Sequence, residues 1–147
     1  MNTSVATSLA LVVAAGTASA QDKQPAPGYF IDTIVATTTA QNIALACPTL
    51  SFELLRASRV SGKVLEQLAK DGFDEANLEA TMEDPAERIR AAQTAFLDKH
   101  DLPKQGAEFE AVCAAGLAEI AEGTEIGLYL LEITGDGAID PTAEKTE

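Results

Sequence analysis

The sequence predicts an all-α fold: a compact bundle of five or six short helices, closed by one disulfide and preceded by a cleaved signal peptide. Three observations lead there. The apolar fraction is 46% and rich in Ala and Leu, while aromatics make up only 5% and Trp is absent, which suits helix-on-helix packing better than an aromatic-rich sandwich. Apolar residues recur at three- and four-residue spacing along most of the chain. Its only cysteines, Cys47 and Cys113, form an even count in a chain that reads as exported, and such cysteines pair.

The export reading rests on residues 1–20. Val5 to Ala18 is apolar and small, with Leu9, Leu11, Val12 and Val13 at its centre, and Ala18-Ser19-Ala20 is an A-x-A cleavage site followed by polar Gln21 and Asp22. No Lys or Arg stands before this stretch, so it departs from the usual pattern, and an upstream start is the alternative. The run is too short and too rich in Ala, Thr and Ser to span roughly 30 Å of hydrocarbon. The expectation is a periplasmic protein with no stable membrane insertion.

Residues 21–28 are polar and Pro-rich and read as a flexible leader. A helical domain is expected over 29–133. Its first helix carries Ile31, Ile34, Val35, Thr38 and Ile43, interrupted by the β-branched run Thr37-Thr38-Thr39, and stops at Cys47-Pro48. Thr49 or Ser51 caps the second helix. That helix presents Leu54, Leu55, Val60, Val64, Leu65 and Leu68 as its apolar face and ends at Lys70. Asp71-Gly72-Phe73 is its stop signal, with Gly72 suited to a left-handed C′ position.

Asp74 caps a short helix through Met82. Asp84-Pro85-Ala86-Glu87 places Asp at N-cap, Pro at N1 and Glu at N3, a strong helix start. The helix that follows buries Ile89, Ala92, Phe96 and Leu97. From Gly106 or Ala107, one face collects Phe109, Val112, Cys113, Gly116, Leu117 and Ile120. Gly123 stops that helix, and Thr124 caps a last one running to about Ile133. Residues 134–147 read as a disordered acidic tail. No strand is expected.

The formal net charge is −13, from 23 acidic and 10 basic residues. That balance disfavours nucleic acid, whose phosphates demand concentrated Lys and Arg, and a polybasic anchor on anionic lipid. Four of the ten cations nonetheless cluster on the second helix. Arg56, Arg59, Lys63 and Lys70 form a stripe that reads either as a solvated face paired with acids such as Glu66, or as the docking face for an acidic protein partner.

No catalytic constellation stands out. His100, the only histidine, lies beside Asp98 and Asp101 near a helix end, where it reads as a surface residue favoured by the helix dipole rather than as a general base. The acidic group Asp74, Glu75, Glu79, Glu83, Asp84 and Glu87 lacks calcium-loop spacing. One His and no CxxC pair leave no metal site, and no cofactor motif occurs. The chain therefore reads as non-enzymatic, with no metal and no cofactor.

Three stretches carry a family resemblance: Cys47-Pro48-Thr49-Leu50-Ser51, Gly72-Phe73-Asp74-Glu75-Ala76, and Cys113-Ala114-Ala115-Gly116-Leu117-Ala118-Glu119-Ile120-Ala121. In these the chain resembles a domain-of-unknown-function family of short exported alphaproteobacterial helical proteins with two cysteines. The resemblance implies an exported helical domain with paired cysteines and brings no established activity. It also implies an association with respiratory NADH dehydrogenase. The acidic tail after Leu131 departs from the shorter, more basic ends of that family. The expected functions are a binding or accessory module for an envelope assembly, an acid- or stress-activated holdase chaperone, or an accessory factor linked to NADH dehydrogenase.

Overall fold

The computed structural model describes residues 23–73 and 76–133. The expected signal peptide, the Asp74 cap and the acidic tail lie outside them. Five α-helices are present, as the sequence predicts: α1 (Gly28–Ala46), α2 (Leu54–Lys70), α3 (Leu78–Thr81), α4 (Ala86–Lys99) and α5 (Phe109–Glu122). A 3-10 turn follows over Gly127–Tyr129. No helix among the described residues is long and apolar enough to cross a membrane.

The first helix is the axis of the fold. It touches α2, α4, α5 and the 3-10 turn, and it buries Ile31, Thr33, Val35, Ala36, Thr39, Ala40 and Ile43. Those residues do not fall on one stripe, because a helix packed on several sides needs none. Ala36 and Ala40 let its neighbours approach closely. The β-branched run is accommodated: the Thr37 and Thr38 hydroxyls donate to the carbonyls of Thr33 and Ile34 at 2.7 and 2.6 Å.

The fold is mostly helical as expected, but two short strands are present where none was expected. Leu50–Phe52 (β1) pairs antiparallel with Leu130–Glu132 (β2), in the register Leu50↔Glu132, Ser51↔Leu131, Phe52↔Leu130. The expected last helix is therefore only the 3-10 turn, begun where the Thr124 hydroxyl accepts from Gly127 N at 3.1 Å. Ser51 does not cap the second helix because it lies in a strand. Glu53 holds the N-cap position instead, its own N–H bonded to the Tyr129 carbonyl at 2.8 Å.

Helix ends otherwise follow the local signals. At the end of α2, Gly72 adopts φ +89°, its N–H reaches Ala69 O at 3.2 Å, and Phe73 N reaches Leu68 O at 2.8 Å. These two bonds make a Schellman motif, and Phe73 is buried. At the start of α4 the Asp84 carboxylate accepts from Ala86 N at 3.0 Å. Gly106, expected to open α5, lies in the preceding loop with φ +69°, and α5 begins at Phe109.

The leader is the second correction. Gln24 bridges Met82 in parallel register, with Gln24 N bonded to Thr81 O at 2.7 Å and Glu83 N to Gln24 O at 2.8 Å. Ala26 is buried among Ile31, Val35, Leu68, Phe73 and Met82. Composition alone concealed this, since two prolines and polar neighbours are as compatible with a docked extended segment as with a loose one.

The disulfide joins Cys47 and Cys113, with Cα atoms 5.2 Å apart. It ties the end of α1 to the first half of α5. One turn on, Gly116 sits so close to the core that a Cβ there would lie 2.5 Å from Leu50 Cδ1 and 2.7 Å from Ile43 Cγ2. Absence of a side chain is what lets α5 approach α1 and β1 at this level.

Candidate functional site

Two arrangements stand out, one on the surface and one buried. The surface one is on α2. With 3.6 residues per turn, Arg56, Arg59, Lys63 and Lys70 fall within a sector of roughly 60°. All four are exposed. Arg56 is held by Glu53, Nε to Oε2 2.8 Å, rather than by the Glu66 that sequence proximity offered. Arg59 Nε donates to the Leu55 carbonyl at 3.2 Å. Among the described residues, Arg59, Lys63 and Lys70 form no ion pair.

The apolar face expected of α2 is only partly used. Ala57 and Leu68 are buried, and Val60 and Val64 pack against the core. Leu54, Leu55 and Leu65 are 68%, 76% and 58% exposed. The reason is angular: these three leucines lie outside the sector facing α1, with Ser58, Gly62 and Ala69 between them, all exposed. The outer surface of α2 is thus a leucine and small-residue face with cations along its Leu55 edge.

The buried arrangement was not legible from the sequence. Glu119 faces inward from α5 and is only 2% exposed. Its Oε1 receives Lys99 Nζ at 2.8 Å and His100 Nε2 at 2.6 Å. Its Oε2 receives the Thr124 hydroxyl. Lys99 also reaches Glu122 Oε2 at 2.5 Å, and the His100 ring packs on Phe96 with centroids 4.8 Å apart. His100 is therefore not a surface histidine: its side chain is 9% exposed, turned inward toward a carboxylate 19 residues away. Neither Asp98 nor Asp101 is its partner.

Burial pushes the Glu119 carboxyl up, but the bonds from Lys99, Thr124 and His100 outweigh that and hold it below the ordinary carboxylate range. Lys99 is shifted up by its bonds to Glu119 and Glu122. Gly127 allows the closing approach, because a Cβ there would lie 2.1 Å from the Glu119 carbonyl oxygen. The cluster clamps the C-terminal ends of α4 and α5 together. Chemically it holds a base and a carboxylate but no nucleophile: the Thr124 hydroxyl is directed at the carboxylate, and both cysteines are bonded to each other. Among the described residues no group of His, Cys, Asp or Glu could hold a metal ion.

Fold and site together define a disulfide-closed helical domain with one cationic helix face. The chain belongs to the family described as "Family of unknown function (DUF5333)", whose model matches residues 25–131. A search of curated proteins and a search of solved structures each found no match.

Proposed function

We propose that this chain is an exported, soluble, non-enzymatic periplasmic module that docks an acidic protein partner on the outer face of α2, as an accessory to an envelope assembly. The observation that carries this reading is exposed Leu55 beside Arg59, Lys63 and Lys70, cations that form no ion pair among the described residues. Helix α2 holds four cations and one carboxylate, whereas the chain as a whole is acidic. An acidic segment is therefore repelled by most of the molecule and attracted here, which favours one docking orientation. Leu55 beside the cations supplies apolar contact that charge alone lacks.

The test is a photo-crosslinking residue at Ser61, used in the native envelope to capture and identify the partner, followed by affinity measurement with purified components. Arg59→Glu/Lys63→Glu is expected to weaken binding about tenfold or more, with marked salt dependence. An affinity unchanged by this double reversal would remove α2 from the interface.

A second reading, an acid-activated holdase, is favoured by the Glu119 clamp. Protonating Glu119 removes the charge that Lys99 and His100 are gathered around, so the two helix ends lose their tie in acid. The mature protein is then expected to suppress aggregation of a client near pH 3 and not at pH 7. Equal behaviour at the two pH values would end this reading.

A further inference from the structure

A groove of about 440 Å³ runs between the second half of α1, the second half of α4 and the start of α5. That volume falls in the range of small-molecule sites. Its walls are Ile43, Phe96, Leu97, Leu102 and Val112, with the amides of Asn42 and Gln93 alongside. One side chain that lines it is ionisable at all, Lys104. Lys104 is exposed and has no ion-pair partner among the described residues.

The start of the lip that carries Lys104 is fixed. Residues 100–108 leave α4 through Asp101, at φ 53°, and turn again at Gly106. Leu102 N bonds back to Leu97 O at 2.9 Å. The base of the lip is held by Lys99 and His100 on buried Glu119. A cleft whose edge is set by a buried ionic cluster and a hydrogen-bonded turn is formed before any ligand arrives, so little ordering cost is left for binding.

We propose that this groove binds a medium-chain aliphatic carboxylate, with the acyl chain along Phe96, Leu97 and Val112 and the carboxylate on Lys104. A single cation accepts one negative charge, and the acidic surface beyond it, Asp101 and Glu108 included, disfavours a polyanion. This site is separate from α2 and stands or falls independently of the docking proposal.

The experiment is an amide-resolved NMR titration of the disulfide-bonded mature protein with octanoate, and with 1-octanol as the uncharged comparison. Octanoate is expected to shift the amides of Ala46, Leu102 and Val112 with a dissociation constant below about 1 mM. Lys104→Ala is expected to weaken octanoate about tenfold, to the level of octanol, while Ala107→Phe, which fills the groove from the lip, abolishes both. Spectra of the free variants check that each remains folded. Absence of groove shifts at several-fold excess overturns the site. Binding that ignores Lys104→Ala overturns the carboxylate assignment, and binding that survives Ala107→Phe overturns the groove.

Discussion

Replacing Cys47 and Cys113 together by serine is expected to lower the free energy of unfolding by about 4 kcal/mol. The bridged residues are 66 apart, and closing a loop of that length restricts the unfolded chain by roughly this amount in the chain-entropy model. Cys47 is fully buried, so serine there adds a hydroxyl that must find a partner, and the loss should not fall short of the loop term. Urea unfolding of the double variant, beside the parent protein with and without reductant, provides the measurement. The reduced parent should lose the loop term alone and be at least as stable as the variant. A reduced parent as stable as the oxidised one would show that packing of α5 on α1 needs no covalent tie.

Glu119→Ala is the second large effect, expected to cost about 3 kcal/mol at pH 7. Removing one member of a buried ionic cluster usually costs a few kcal/mol. The lower end applies here because Lys99, 42% exposed, can turn to water. The pH dependence is the sharper signature. In the folded state the Glu119 pKa is depressed, so its contribution is complete above the ordinary carboxylate pKa and fades as pH falls through the lower folded value. The parent should therefore lose more stability between pH 6 and pH 3 than Glu119→Ala does. Parallel stability profiles for the two proteins would show that Glu119 is not the group through which acid acts.

What could be read in advance was local. Asp71-Gly72-Phe73 and Asp84-Pro85 each specify a helix end through bonds within a few residues; the first is found as read, while at the second Asp84 accepts from Ala86 N and Pro85 takes the N-cap position. The cysteine pair was legible because there was only one way to pair two. The strands were not: Leu50–Phe52 and Leu130–Glu132 are three residues each, too short for a period of two to separate from a helix, and they exist only because they meet. Glu119 was hidden for a related reason. It sits beside apolar Ile120 on a helix whose inward face is complete without it, and its partners come from the end of α4 and from Thr124 beyond α5. The lone histidine was the available clue, since a single His in so acidic a chain can readily find a buried carboxylate. The leucines of α2 misled in the opposite direction, because hydrophobic spacing marks a helix without fixing how wide a sector its neighbour covers.

The link between Cys47 and Cys113 also changes how the molecule ages. A protease that cuts anywhere between those two positions opens the backbone but frees no fragment, because sulfur still holds the two pieces and β1 still has β2 to pair with. Cleavage in the α2–α4 stretch thus converts one chain into a two-chain protein of the same composition, and dissociation requires a reductant as well as a protease. In an oxidising compartment the order of those two insults decides whether a nicked copy persists or is lost.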